Sequence, residues 1–237
     1  MLRRFGRLIP DDWAHVHKYP LRAVTRKIIK NIEFAFALPD DMRLLYDQGM
    51  TSSCVGYSSS IMMSIFNEPE RYNAIELWEE AKDKDEFEET NRGDDNGTTI
   101  NAACKVLKAK GHIELGKKRW SKRNGIKEYR WALDIDDIRR AFAIYKVPVL
   151  LGIDWYNNFN KPYQRDNGEW WIGRGFDSRV IGGHAICAIG CSDKREALLL
   201  CNSWGTEYPL VWIDYSLVER LLKNMGEAVI VVDRPGR

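Results

Sequence analysis

Three side chains distant in the chain have the chemistry for acyl transfer if folding brings them together: the thiol of Cys54, the imidazole of His184 and the amide of Asn202. The thiolate is the nucleophilic form of cysteine, so the first question is which of the five cysteines stands where negative charge is favoured. Cys54 follows DQGMTSS and precedes apolar residues at helical spacing (Val55, Tyr57, Ile61, Met62, Ile65, Phe66), with Pro69 beyond. Thr51, Ser52 and Ser53 are residue types that cap helix starts. A helix beginning here would set unpaired N–H groups and the positive end of its dipole beside the thiol. Cys104, Cys187, Cys191 and Cys201 lie inside apolar patterns and read as buried structural cysteines.

A thiolate needs a proton partner. His15 and His17 lie in a terminal segment, and His112 follows the helix-stopping Gly111. His184 follows two glycines in IGGHAICAIG and is expected to open a strand, with space beside its ring. That strand returns through CSDKRE as LLLCNSWG, a hairpin that brings Asn202 near His184. The Asn202 oxygen could accept the imidazole N–H and fix the tautomer, with Trp204 lying over the bond. Gln48, six residues before Cys54, could join the Cys54 N–H as a two-donor oxyanion hole.

These segments resemble the papain-like cysteine peptidases. DQGMTSSCVGYS is similar to the family's glutamine-to-cysteine stretch, GGHAICAIG to its histidine strand and CNSWG to its asparagine–serine–tryptophan motif. ALPDDMRLLYDQG and DNGTTINAACKVLKAKG extend the likeness, in the right order, over roughly residues 38–232. The resemblance implies a Cys54–His184–Asn202 site assisted by Gln48, with an activated thiol and a thioacyl-enzyme intermediate. It also implies that Asn96 and Gly97 pair with the substrate backbone and that Gly183 forms the opposite wall. Two positions depart from the pattern: Val55 stands where tryptophan is usual, and Thr51 where a cysteine often forms a disulfide.

The elements that would position these groups change along the chain. Helices are expected after Cys54, over residues 72–84 with Ile75, Leu77, Trp78 and Ala81 as its buried stripe, from Thr98 or Thr99 to Gly111, and over 134–145. Strands follow in VPVLLGIDW and at 169–173, 184–190, 196–202, 209–213 and 227–232. Helices first and strands later predict an α+β, papain-like fold, with a helical lobe over about 45–130, an antiparallel β-rich lobe over about 131–237 and the cleft between them. Residues 1–37 form an extension rich in arginine and lysine, either packed on the domain or covering the cleft as a propeptide-like inhibitor.

Composition bounds the rest. A net charge of +2 with 44% hydrophobic residues describes an ordinary globular domain. The acidic residues 79–95 and basic residues 117–130 read as solvated surfaces, and nucleic-acid binding by Trp120, Tyr129 and Trp131 is not expected. Cysteine spacing suggests no metal site, and no cofactor is expected. The start MLRRFGRLIPDDW lacks a signal-peptide core and no stretch suits a membrane span, so the expectation is a cytoplasmic protein of viral or bacterial origin acting on a protein or peptide. Two other readings keep the fold: an amidase or acyl transferase for isopeptide or cell-wall bonds, and an inactive scaffold.

Overall fold

Alternating apolar residues in the later half of the chain become the two faces of one sheet. The computed structural model describes residues 5–10, 15, 18–21, 29–87, 91–174 and 179–232. Its sheet has nine strands: β1 Glu33–Ala35, β2 Glu128–Ala132, β3 Val149–Tyr156, β4 Tyr163–Gln164, β5 Trp170–Trp171, β6 Val180–Ser192, β7 Ala197–Cys201, β8 Val211–Asp214 and β9 Glu227–Val232. Their order is β2-β9-β3-β6-β7-β8-β5-β4, with β1 paired to the far end of β6. Every pairing is antiparallel except that of β5 with β8. The central strands are buried on both sides, which is why VLLGIDWY reads as an almost continuous apolar run.

Side chains one residue apart go to opposite cores, as the pleat requires. Leu150, Cys187 and Val229 pack into one core with helices α2 (Cys54–Phe66), α3 (Ala74–Lys82) and α4 (Ile100–Ala109). Leu151, Ile186 and Ala228 pack into the other, with Phe142, Leu217 and Leu221. Three further helices are α1 (Asp40–Leu45), α5 (Ile135–Arg140), which continues as a π-helical turn over Ala141–Tyr145, and α6 (Tyr215–Lys223), with a 3-10 turn over Asn157–Asn160. The fold class is therefore α+β, as the sequence predicts.

Local chemistry explains the element starts. Thr99 Oγ1 accepts the Ala102 N–H at 3.1 Å, Asn73 Oδ1 that of Glu76 at 3.1 Å, and Asp134 Oδ1 that of Asp137 at 2.9 Å. Ile61, Met62 and Met63 are wholly buried on α2, each contributing about 1.5–3 kcal/mol of burial. Three expectations need correction. Ile75 is 39% exposed, because it projects away from the Leu77, Trp78 and Ala81 face. His184 does not open its strand but lies four residues inside β6, which pairing with β3 extends back to Val180. The acidic and basic segments are not two independent solvated surfaces: Arg123 pairs with Glu80 at 2.6 Å, and Arg119 pairs at 2.9 Å with Glu76, just before the acidic stretch. That pairing, with Trp131 wholly buried, leaves Trp120 as the exposed ring of the basic segment.

Candidate active site

The structure brings Cys54, His184, Asn202 and Gln48 into one buried cluster. Cys54 is the first residue of α2, after the N-cap Ser53. Ser53 makes no side-chain capping bond. Strand β6 meets this helix start directly: the Ala185 N–H points at Cys54 Sγ at 3.4 Å, and Ser58 Oγ donates to the Ala185 carbonyl at 2.7 Å. The second contact clamps the strand to the helix one turn beyond the thiol.

His184 is held from three sides. Its Nε2 bonds Asn202 Oδ1 at 2.8 Å, and its Nδ1 is buried without a hydrogen-bond partner. Asn202 is held in turn, since its Oδ1 also accepts the Ser203 N–H at 2.8 Å. The Trp204 ring lies 5.1 Å from the imidazole, and Trp155 lies edge-on at 4.7 Å. Trp155 reaches the site because Ile153 is the register partner of His184 and Trp155 follows it on the same face of β3. Sequence reasoning placed Trp155 in a strand without giving it a part in the site.

Gln48 ties the cysteine loop to the asparagine loop. Its N–H donates to the Ser203 carbonyl at 2.9 Å, and its Oε1 accepts Ser203 Oγ at 2.7 Å. Its Nε2 donates to the Thr51 carbonyl at 2.8 Å. The backbones of Asp47 and Trp204 add a bridge between the same two loops.

The space expected beside His184 is filled, and the filling comes from the chain itself. Phe5 lies edge-on to His184 at 5.7 Å and packs on Trp204 at 6.1 Å. The Arg7 N–H donates to the Gly183 carbonyl at 3.1 Å, the Leu8 N–H to the Thr98 carbonyl at 2.9 Å, and the Thr98 N–H to the Gly6 carbonyl at 2.8 Å. Gly6 crosses so close to the thiol loop that a Cβ on it would stand 1.5 Å from the Ser52 carbonyl oxygen. A Cβ on Gly97 would meet the Gly6 carbonyl oxygen at 2.2 Å. The chain's own residues 6–8 thus pair with Thr98 and Gly183, while Gly97 gives clearance and the Asn96 carbonyl accepts Trp78 Nε1 at 3.0 Å.

Burial runs against the expected electrostatics. Burial pushes the Cys54 thiol up, against the lowering effect of the Ala185, Gly6 and Val55 N–H groups. Burial also pushes His184 down to about 4, against the bond to Asn202, which favours the protonated ring. Sequence reasoning anticipates a thiolate at a helix start; burial instead moves both groups toward the uncharged pair, thiol and neutral imidazole. No group of three or more histidine, cysteine or carboxylate side chains among the described residues could hold a metal ion. Among those residues, no helix is long and apolar enough to cross a membrane.

Solved structures share this architecture. Xylellain, a cysteine protease from Xylella fastidiosa, aligns with a TM-score of 0.65 at 17% identity, over 99% of each chain. The fold is papain-like. Procathepsin B from Trypanosoma congolense aligns with a TM-score of 0.65 at 14% identity, over 97% of this chain and 86% of its own. Procathepsin L2 from Tenebrio molitor larval midgut gives 0.66 at 15%, over 97% and 78%. In sequence, an uncharacterised peptidase C1-like protein of Acanthamoeba polyphaga mimivirus is 28% identical over 76 residues, which span 32% of this chain and 24% of that relative. No family model matches the chain.

Proposed function

We propose that this papain-fold chain is a cysteine peptidase held closed by its own N-terminal segment. One observation carries the reading: His184 is bonded through Nε2 to Asn202 at 2.8 Å and keeps a buried, unpartnered Nδ1, in a cluster whose thiol starts a helix. That is the arrangement a general base needs, one nitrogen oriented by an amide and the other available to a nucleophile. The papain-like solved structures, which include two named as proenzymes, support it.

In the reaction, a peptide lies extended between Thr98 and Gly183, where residues 6–8 now lie. The Cys54 thiolate attacks a carbonyl carbon, and the oxyanion is stabilised by the Cys54 N–H and the Gln48 amide. Protonated His184 gives its proton to the leaving amine as the C–N bond breaks, leaving a thioester on Cys54. Neutral His184 then takes a proton from water, which attacks the thioester and frees the thiol. Asn202 holds the ring in one tautomer throughout, with Trp155 and Trp204 excluding water from the bond.

The segment from Phe5 to Leu8 uses the same walls and must leave first. Residues 33–35 belong to the sheet, so the part able to leave ends before Glu33. Five free thiols fit a reducing compartment. A peptidyl epoxide read by intact mass tests the assignment. One adduct on the wild-type chain, absent in Cys54→Ala, is expected. No adduct on the wild type or on a Gly6→Ala chain, in which the segment cannot seat, would overturn it.

A further inference from the structure

The basic segment folds as a surface loop that is fixed at its base and exposed at its tip. The His112 N–H donates to the Asn124 carbonyl at 2.8 Å, and the Asn124 N–H to the His112 carbonyl at 3.0 Å, so residues 113–123 leave and return at one point. That base is buried. His112 Nε2 bonds Ser60 Oγ at 2.8 Å, its ring stacks on Tyr72 at 4.7 Å, and Asn124 Nδ2 donates to the Tyr72 hydroxyl at 2.8 Å. The two arginines act as struts: Arg119 reaches Glu76 and Arg123 reaches Glu80, both on α3.

The tip has the opposite character. Lys117, Lys118 and Lys122 are exposed and form no ion pair among the described residues. Trp120 is 81% exposed and Leu115 47%, with Lys118 Nζ 5.2 Å from the centre of the indole. The neighbouring carboxylates are turned to the base, Glu76 and Glu80 to the arginines and Glu114 to Asn124 Nδ2 at 3.3 Å. Residues 105–127 hold nine lysines and arginines against one carboxylate, in a chain of net charge +2, so the rest of the chain is net negative and the positive field is local. Arginines that fix a loop and lysines that leave it charged, around a ring in water, describe a surface built to meet something anionic and apolar together.

We propose that this loop docks the protein on an anionic membrane surface, with Trp120 and Leu115 entering the interfacial layer and Lys117, Lys118 and Lys122 meeting the headgroups. An indole has a broad apolar body and one polar N–H, which suits the boundary between acyl chains and water. Lysine ammoniums on flexible stems follow a charged surface without needing a fixed geometry. Nucleic acid would engage the same charges, but single strands are held in grooves where several rings stack successive bases. Here Trp131 is wholly buried and the Tyr129 hydroxyl donates to Asn101 Oδ1 at 3.1 Å, so Trp120 stands alone. A phosphate backbone also offers Leu115 nothing apolar to cover it, whereas a bilayer does. None of the docking residues belongs to the Cys54 cluster, and the inference stands apart from the peptidase reading.

Sedimentation of the full chain with lipid vesicles tests it, using phosphatidylcholine alone and phosphatidylcholine mixed with phosphatidylserine. The wild type should bind the mixed vesicles and not the neutral ones, and should release as salt rises. Because the N-terminal extension is also basic, two variants decide whether this loop is the contact. Replacing the three lysines together (Lys117→Gln, Lys118→Gln, Lys122→Gln) should weaken partitioning about 100-fold, from about fivefold for each lysine. Trp120→Ala should weaken it about tenfold or more. All four side chains are exposed, so both variants should keep the melting temperature of the wild type. No binding of the wild type to mixed vesicles, or equal binding by the wild type and either variant, would overturn the proposal. Retention of the wild type by single-stranded RNA at a salt concentration where mixed vesicles fail to hold it would overturn it in favour of a nucleic-acid surface.

Discussion

Replacing Gly6 with alanine should unlock the thiol. The added Cβ would stand 1.5, 2.3 and 2.8 Å from the carbonyl oxygen, carbonyl carbon and Cα of Ser52. All three are backbone atoms of the loop that leads into Cys54, so no rotamer change can relieve the overlap. The segment must lift, and lifting breaks its three backbone bonds, from Arg7 to Gly183, from Leu8 to Thr98 and from Thr98 to Gly6. At about 1 kcal/mol net for each, the covered state loses about 3 kcal/mol. That corresponds to roughly a hundredfold gain in the population that exposes the thiol. Pseudo-first-order alkylation by iodoacetamide at pH 7, followed by intact mass, reads this directly; Cys104 and Cys187, wholly buried, serve as internal references. Circular dichroism should show an unchanged fold, because the described contacts of Gly6 are with the cleft walls. An alkylation rate at Cys54 equal to that of the wild type would refute the reasoning, since the thiol would then be reached by a route that the segment does not block.

Other perturbations follow from the same geometry. Asn202→Ala removes the acceptor from His184 Nε2 and leaves a buried ring nitrogen unpaired, at about 1–3 kcal/mol; in the Gly6→Ala background kcat/KM should fall roughly 10- to 100-fold, and unchanged kinetics would remove Asn202 from the site. Gln48→Ala should lower kcat about 100-fold or more with little change in KM if its amide serves the oxyanion, and a pure KM effect would assign it to binding. Acid should destabilise the closed chain: His184 and His112 are pushed down to about 4 and about 3 by burial, below the ordinary 6.5 of an unfolded chain. Folded-state pKa values below the unfolded ones mean that the unfolded chain binds more protons, so this stabilisation is present above pH 6.5 and is lost as pH falls toward 4 and 3. For His184 alone the difference is about 3 kcal/mol, and a melting temperature flat between pH 7 and pH 4 would contradict it.

Four of the helices and most strands are legible in the sequence because each carries its own local signal. Thr99 caps a helix, Gly111 adopts a φ of +84° after it, and the alternation in β6 and β7 fixes their faces. The hairpin reading brings Asn202 to His184 because the turn at residues 193–196 is short enough to dictate register. The elements missed have weaker signals: β1 and β4 are two or three residues long, α1 is six residues with no side-chain cap, β2 (EYRWA) mixes charged and aromatic residues, and α6 is a mixed polar stretch that becomes helical by docking Leu217, Val218 and Leu221. The contacts that close the site were not legible for a different reason. Phe5, Arg7 and His15 meet His184 and Glu227 across sequence separations of more than 170 residues, and nothing in a local pattern encodes such a meeting. Glu227 could have been noticed, since a lone carboxylate opening an apolar strand asks for a partner. Its partner could not have been named. Arg3, Arg4, Trp13, Arg22, Arg26, Lys27 and Ile28, which mark the extension as basic and apolar in the sequence, lie outside the described residues.

The closed site and the reactive site are two electrostatic states of one cluster. With the segment seated, burial pushes the thiol up and the imidazole down, toward the uncharged pair. The cause in both cases is removal from water; of the opposing groups, the Ala185 and Val55 N–H groups and the Asn202 oxygen stay when the segment leaves, while the Gly6 N–H and the Arg7 charge, which also lower the thiol, leave with it. Opening therefore does more than uncover the thiol. It readmits water, which relieves the burial that favours the neutral pair, and it keeps a helix start beside sulfur and an amide oxygen on the imidazolium. It also parts Glu227 from Arg7, so the buried ion pair is a contact that only the seated segment makes. A substitution at Glu227 should consequently loosen the segment through its side-chain anchor and raise the alkylation rate of Cys54, as one at Gly6 does through the backbone; an alkylation rate unchanged in Glu227→Gln would show that the ion pair does not hold the segment down.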